Sequence, residues 1–210
     1  MSLLLDVTVP LQEGIVVWPG DESFQHTVKH STGQGDFCNL AAYRFSSHTG
    51  THLDPPFHFI HEGRKLDQIR PEELVGPCWV ADLSHLDRHI TAEDLEAAHI
   101  PPFVRRLLLK TRNSAQWADP TAPFNAHFLA LKVDAVRWAM DRGVRLIGID
   151  YASLEPIDST EGHELFLGAD GLILENLDLR EATQGAYEML CLPLLVAKGD
   201  GAPARVMLRR

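Results

Sequence analysis

The most informative stretch of this chain, SHTGTHLDPPFH, occupies residues 47–58. It places His48, His52, Asp54 and His58 within eleven residues. The whole chain has 11 histidines in 210 residues, and six of them fall between residues 26 and 61. Histidine is the commonest metal ligand and the usual proton carrier near neutral pH. We therefore expect the chemistry of this protein to begin in this window.

The backbone of the window is predicted to be extended but curled. Gly50 and the pair Pro55-Pro56 disfavour a helix. A straight strand would separate His48 from His52 by roughly 13 Å, too far for one ion with bonds of ~2 Å. Gly50 supplies the conformational freedom for a curl that brings them together. Two imidazoles and a carboxylate suit Zn²⁺, Mn²⁺ or Fe²⁺, so a metal site is predicted; an ordinary turn with hydrogen-bonded histidines is the alternative.

Composition narrows the class of protein. The chain carries 19 Lys plus Arg against 29 Asp plus Glu, a net charge of −10, which argues against a phosphate-binding surface and a nucleic-acid partner. The opening MSLLLDVTVPLQ does not resemble a signal peptide, and no apolar run approaches the roughly 18 residues of a membrane span. Cys38, Cys78 and Cys191 are odd in number and form no CxxC pair. A cytoplasmic protein without a membrane partner is expected.

The pattern along the chain predicts a single mixed α/β domain over residues 1–210, with substantial sheet and few helices. Eight strands are predicted from short β-branched or alternating segments, at Leu3–Val9, Cys38–Ser47, Cys78–Ser84, Arg106–Thr111, Arg145–Asp150, Leu172–Glu175, Met189–Ala197 and Arg205–Leu208. Three helices are predicted in the segments TAEDLEAAH, KVDAVRWAMDRG and EGHELFLGAD, which begin at residues 91, 132 and 161.

Two further segments resemble known motifs only in part. GQGDFC at residues 33–38 lacks the third glycine and the following helix of a dinucleotide fingerprint. DLSHLDRH at residues 82–89 contains the residue types of a Ser/His/Asp triad, but they are crowded and no GxSxG elbow occurs in the chain. Both segments are interpreted as structural.

The chain resembles the cyclase family, whose characterised members include bacterial kynurenine formamidase and isatin hydrolase. HTGTHLDPPFH is similar to the family signature HxGTHxDxPxH, and VWPGD at residues 17–21 is similar to its N-terminal element. GID at 148–150, Ser159, His163 and ILENL at 173–177 resemble the C-terminal block in the same order. The resemblance implies a swivelling β/β/α cyclase-type fold, a homodimer or higher homo-oligomer, and metal-dependent hydrolysis of an amide C–N bond.

The resemblance also implies roles for individual residues. His48, His52 and Asp54 match a first metal site, and Asp54, His163 and Glu175 match a second, with both carboxylates able to bridge. Two Zn²⁺ ions per subunit are implied, with Mn²⁺ as the alternative. His58 matches the residue that donates and accepts a proton, and Trp18 matches an aromatic residue that contacts the substrate.

The activity implied is that of an arylformamidase, which converts N-formyl-L-kynurenine to L-kynurenine and formate in tryptophan catabolism. Three departures from that branch concern the substrate: Tyr151-Ala152-Ser153 replaces a Thr-Pro-Ser turn, Ser47 replaces a proline, and Pro55 replaces a small residue. Two alternatives therefore stay open. One is hydrolysis of a cyclic amide, as in isatin hydrolase with Mn²⁺, and the other is a non-catalytic metal-binding module.

Overall fold

A closed ring of strands forms the centre of the structure, a computed structural model that describes residues 4–210. The strands in chain order are β1 Leu4–Asp6, β2 Gln25–His30, β3 Leu40–Arg44, β4 His52–Asp54, β5 Val75–Asp82, β6 Arg106–Lys110, β7 Leu146–Ile149, β8 Leu172–Glu175, β9 Gly185–Pro193 and β10 Ala202–Arg209. The α-helices are α1 Pro71–Leu74, α2 Ala92–Ala97, α3 Val133–Asp141 and α4 Glu161–Gly168. Short 3-10 helices lie at Thr32–Gln34, Pro56–His58, Leu66–Gln68 and Arg112–Ala118.

The ring has the order β10-β4-β8-β7-β6-β5-β9 and closes because β9 also pairs with β10. Strands β5 to β8 run parallel to one another, whereas the pairs that involve β4, β9 and β10 are antiparallel. Strand β1 joins the outside of the ring by pairing with β10. Strands β2 and β3 form a separate two-stranded hairpin. Within residues 4–210, no helix has the length and apolar character needed to cross a membrane.

Alternate side chains of the ring strands enter two different cores, as the period of two in a strand requires. All seven ring strands contribute to the interior of the ring; Leu108 of β6 and Leu146 of β7 belong to it. Their neighbours Leu107 and Ile147 face outward and pack with the buried faces of α2, α3 and α4. Strands buried on both faces have continuous apolar sequences, and this is why LLL in β6 and LIGI in β7 lack alternation.

The predicted mixed α/β class is confirmed, and each of the eight predicted strands corresponds to a strand of the structure; Leu172–Glu175 coincides with β8, and the other seven have shifted ends. Leu3, the first residue of the predicted strand Leu3–Val9, lies outside the described residues. The three predicted helices are confirmed as α2, α3 and α4. Strands β2 and β4 and helix α1 were not predicted. Strand β2 is exposed over almost its whole length, and β4 has only three residues, so neither has a hydrophobic period to detect.

Candidate metal centre

A cleft of about 490 Å³ opens beside β4 and the end of β8. Every predicted site residue except Asp54 lines it, namely Trp18, His48, His52, His58, His163 and Glu175. Asp54 lies directly beneath, fully buried. Residues separated by more than a hundred positions in the sequence are therefore neighbours in space.

The loop before β4 is curled at Gly50, as predicted. Gly50 has a φ of +66°, a conformation that favours glycine. The curl brings the rings of His48 and His52 to a centroid distance of 5.0 Å instead of the separation of a straight strand. Thr51 anchors the loop to neighbouring segments, because its hydroxyl donates to the Asn176 carbonyl at 2.5 Å and accepts from the Val9 amide at 2.9 Å.

Asp54 joins two groups of possible metal ligands. In the first group, Asp54 Oδ1 lies 2.8 Å from His48 Nδ1 and 3.3 Å from His52 Nε2. In the second group, Asp54 is accompanied by His163 and Glu175, with His163 Nε2 3.2 Å from Glu175 Oε1. Within each group the ligand atoms lie within 4.8 Å of one another. Histidine nitrogens and carboxylate oxygens in this arrangement could hold Zn²⁺ or a similar cation.

The strongest sign that a cation fits here is the environment of Oδ2, the second carboxylate oxygen of Asp54. Asp54 Oδ2 is buried and has no hydrogen-bond partner within residues 4–210. Leaving a buried carboxylate oxygen without a partner is costly, and buried charges are normally paired or bound to metals. A cation held by the surrounding imidazoles and carboxylates would give this oxygen a partner.

The charges around Asp54 support the same conclusion. Burial raises the pKa of the Asp54 carboxyl, but the neighbouring His52, His48 and His58 imidazoles lower it well below its usual range. Burial would lower the pKa of His48, yet Asp54 and Asp200 raise it to about 10. The carboxylate is therefore ionised at neutral pH and available as a ligand.

His58 occupies a different environment at the edge of the cleft. It ends the 3-10 helix Pro56–His58, and its ring stacks on His48 at a centroid distance of 3.9 Å. Burial, together with the positive charges of His48 and His163, lowers the pKa of His58 to about 4. Its imidazole is neutral at pH 7 and can accept a proton.

Two aromatic side chains, Trp18 and Phe59, line the cleft. Trp18 packs edge-to-face against Phe124 at a centroid distance of 5.5 Å, which fixes the plane of its indole. Phe59 stacks on His163 at 4.6 Å and is 36% exposed. Phe59 was not predicted, because one phenylalanine in a histidine-rich loop has no distinguishing pattern.

Two carboxylates that were not predicted complete the surroundings of the histidines. Glu155 lies 2.6 Å from His163 Nδ1, and Asp200 lies 3.2 Å from His48 Nε2. Glu155 follows β7 in the segment SLEP, and Asp200 lies in the turn between β9 and β10. The only signal in the sequence was their position near the GID element and in the turn GDG, which does not indicate contact with a histidine.

Comparison with known proteins agrees with this geometry. Residues 5–156 match the family model described as "Putative cyclase". The chain belongs to the cyclase family. It is 36% identical to proteins named kynurenine formamidase from Bacillus thuringiensis strain Al Hakam, over 98% of this chain and 96% of that protein, and from Bacillus anthracis, over 99% and 98%.

Solved structures show the same fold. A structure described as "predicted metal-dependent hydrolase from Bacillus stearothermophilus" has a TM-score of 0.86 and 30% identity, covering 100% of this chain and 98% of that one. Isatin hydrolase A from Ralstonia solanacearum has a TM-score of 0.82 at 23% identity, covering 99% and 92% of the two chains. The ring of strands with few helices is thus the swivelling β/β/α arrangement expected for the family.

Proposed function

We propose that this cyclase-family protein is a metal-dependent amidohydrolase that hydrolyses N-formyl-L-kynurenine to L-kynurenine and formate. The observation that carries the proposal is Asp54, shared by two groups of ligands and left with an unpartnered buried oxygen. The substrate is proposed from the relatives named kynurenine formamidase, which match almost the whole chain at 36% identity.

We assign one divalent cation to each of the two groups, and Zn²⁺ is the metal proposed for both. His48, His52 and Asp54 would hold one ion, and Asp54, His163 and Glu175 would hold the other. Bound divalent cations supply Lewis acidity, which polarises a carbonyl oxygen and makes water more acidic. Mn²⁺ could occupy the same set of imidazoles and carboxylates, because ligand type alone does not separate these two metals.

His58 moves the proton in the proposed reaction. A ring nitrogen of the neutral His58 imidazole accepts a proton from the water that attacks the formyl carbonyl. The same nitrogen returns that proton to the departing amide nitrogen, so that the aniline product leaves uncharged. Stacking against His48 limits the rotation of the ring, which keeps that nitrogen at the cleft.

Trp18 is proposed to bind the aromatic part of the substrate. Its indole plane is fixed by Phe124, and it lines the same cleft as His58. Offset or edge-on packing between aromatic rings contributes about 0.5–1.5 kcal/mol beyond the burial of area. The cleft volume of about 490 Å³ is within the usual size of a small-molecule site, roughly 300–1,000 Å³.

The Tyr151-Ala152-Ser153 turn, one of the departures from the formamidase pattern, is compatible with this substrate. Tyr151 is buried, and its hydroxyl accepts from the Asn125 amide at 2.8 Å; it lines a separate pocket and not the cleft. Only Ala152 and Ser153 of that turn line the cleft. The replacement at Tyr151 thus alters buried packing, and the side chains of this turn that line the cleft are the smaller ones of Ala152 and Ser153.

A homodimer or higher homo-oligomer in the cytoplasm is also proposed, from the family resemblance. The β2–β3 hairpin supports assembly, because it exposes Val28, Leu40 and Tyr43, each more than half accessible. Two-stranded hairpins are marginally stable alone, so this one would gain from burial against a second copy. Light scattering coupled to size-exclusion chromatography measures the oligomeric state.

Elemental analysis and hydrolysis assays together test the proposed function. The protein is expected to contain two Zn²⁺ per chain and to hydrolyse N-formyl-L-kynurenine in a chelator-sensitive manner. Isatin is the parallel substrate, and faster turnover of isatin would favour the cyclic-amide alternative. Stoichiometric metal without hydrolysis of either compound would identify a non-catalytic module, and full activity without metal would refute the site assignment.

A further inference from the structure

Each histidine proposed as a ligand has a hydrogen-bond partner on its other ring nitrogen. His52 Nδ1 lies 2.8 Å from the Gly50 carbonyl oxygen, which leaves Nε2 facing Asp54. A carbonyl oxygen can only accept, so His52 carries its proton on Nδ1. The other two histidines have carboxylates in the corresponding place, and nothing in the proposed reaction uses those carboxylates.

Glu155 is the partner of His163. Its side chain is buried after β7, and Oε1 accepts from His163 Nδ1 at 2.6 Å. Its other contacts are all with donors: the amides of Gly162 and His163 and the hydroxyl of Ser159. Four donors surrounding one carboxylate hold it ionised and in place, so His163 presents Nε2 towards Glu175.

Asp200 is the partner of His48, and it contacts Nε2 of that ring, whereas Glu155 contacts Nδ1 of His163. Asp200 Oδ2 lies 3.2 Å from His48 Nε2 and accepts from the Ser47 hydroxyl at 3.1 Å. His48 therefore presents Nδ1 towards Asp54. The adjoining Gly201 lets the ring lie against the backbone, because a Cβ there would lie 2.7 Å from His48 Cε1.

We propose that Glu155 and Asp200 are positioning residues, each of which fixes the tautomer and orientation of one ligand histidine and thereby sets the affinity for one of the two metal ions. Glu155 acts on the ion shared by Asp54, His163 and Glu175, and Asp200 acts on the ion of His48, His52 and Asp54. The proposal rests on the proposed function. Removing such partners of metal-bound histidines typically lowers metal affinity about 10–100-fold.

The two carboxylates differ in burial, and this gives the proposal a graded expectation. Glu155 is fully enclosed, whereas the Asp200 side chain is 49% exposed, so water can replace the Asp200 contact in part. Glu155→Gln is therefore expected to lower zinc affinity by close to 100-fold, and Asp200→Asn by close to 10-fold, which are roughly the two ends of that range. Glu155→Asp keeps a carboxylate and should recover part of the loss.

The test is a zinc-binding titration against a chromophoric chelator, with metal removed and then returned to the intact protein. Glu155→Gln and Asp200→Asn are each expected to lower the affinity for one of the two Zn²⁺ ions. The affinity for the other ion should stay close to that of the parent. Asp150→Asn is the matched control, because the buried Asp150 carboxylate accepts hydrogen bonds from Thr111, Asn113 and Ser114 and, among the described residues, from no histidine. It should lower the melting temperature and retain both ions.

Long-range proton–nitrogen NMR of the zinc-loaded protein gives a readout besides affinity. The parent should show His163 protonated on Nδ1 and His48 on Nε2, and each variant should alter the signals of its own histidine alone. Parental affinities and unchanged tautomers in both variants would overturn the inference, as would an equal loss of zinc in Asp150→Asn. A parent that binds no zinc would instead refute the proposed function. Asp200→Asn keeps the test valid if Glu155→Gln does not fold.

Discussion

His58 is distinguished from the other cleft histidines by its surroundings rather than by its place in the sequence. His48, His52 and His163 each form an ion pair or hydrogen bond with a carboxylate. Within residues 4–210 the His58 ring forms neither, although Asp200 lies nearby; it stacks on His48, and burial is the main cause that lowers its pKa to about 4. A ligand needs a compensating charge, and a proton carrier needs a free ring nitrogen. The environment thus distinguishes the proposed proton carrier from the proposed ligands.

Replacing His58 by alanine tests this separation. His58→Ala is expected to lower kcat for N-formyl-L-kynurenine by about two to four orders of magnitude, because a positioned acid–base group contributes that much. The zinc content, measured by elemental analysis, should stay at the parental value, and Asp54→Asn is the contrasting variant that loses metal. Parental turnover by a zinc-loaded His58→Ala enzyme would rule out the proton-transfer role.

Gly50 is the residue on which the curl of the loop depends. A Cβ at this position would lie 2.7 Å from Leu11 Cδ2, and the φ of +66° disfavours any side chain. Gly50→Ala is expected to lower the free energy of unfolding by about 1–2 kcal/mol. It should also weaken zinc binding, because the Gly50 carbonyl holds His52.

Gly35→Ala is the matched control for this substitution. Gly35 has a φ of +92°, but no atom of residues 4–210 lies within 4 Å of a Cβ added there. Denaturant unfolding and chelator competition on both variants separate backbone strain from effects on the site. A Gly50→Ala protein that binds zinc as tightly as Gly35→Ala would contradict the role given to the curl.

The part of the site between His48 and His58 was predictable from the residues themselves. His163 and Glu175 were predicted only through the family resemblance, and the carboxylates Glu155 and Asp200 were not predicted. The spacing from His48 to His58 indicated both the chemistry and the curl, because ligand distances limit which backbones are possible. Glu155 and Asp200 form no pattern with the histidines that they contact. Their contacts arise from the packing of segments 8 and 152 residues away.

At the scale of elements, helix α2 has the best-defined start. Asp94 accepts from the Thr91 amide at 2.8 Å and the Thr91 hydroxyl at 2.7 Å, and together the two residues form a capping box. Arg88 also donates to the Asp94 carboxylate. The hydrogen bond from Arg88, with those from Thr91, lowers the pKa of Asp94 from 3.8 to about 2.

This shift gives the capping box a defined pH dependence. A carboxyl whose pKa is lowered by folding stabilises the protein above its unfolded value of 3.8, and the stabilisation is lost as pH falls through about 2. Asp94→Asn should therefore lower the free energy of unfolding by about 1 kcal/mol at pH 6. The difference from the parent should shrink steadily as pH approaches 2, in urea titrations at each pH. Asp87→Asn, at a neighbouring exposed position, should show no such trend.

Strand β4 shows why some elements cannot be predicted from sequence. Its three residues, His52, Leu53 and Asp54, form a strand because β8 and β10 provide partners on both sides. Two of the three side chains are polar and belong to the candidate metal centre, and three residues are too few to show the hydrophobic period of a strand. Tertiary pairing determines this element, and its own composition does not.

At the scale of the whole molecule, closure of the ring assembles the site. Strand β10 pairs with β9 on one side and with β4 and β1 on the other, which brings the turn containing Asp200 next to the loop of His48. Strand β8 pairs with β4 and carries Glu175 to the register position of His52. The site therefore exists only when the ring is complete, and a metal that binds it stabilises the complete ring.

Metal removal should accordingly destabilise the whole molecule rather than the cleft alone. A ligand that binds only the folded state adds about 2.7 kcal/mol of stability at a free concentration 100 times its Kd. For a chain of this length that corresponds to roughly 5–11 °C in Tm. Scanning calorimetry with and without a chelator should show a shift of this size, restored by added Zn²⁺. Asp54→Asn, which lacks the shared ligand, should have a low Tm that the chelator leaves unchanged; a chelator effect as large as in the parent would show that the stabilising ion binds elsewhere.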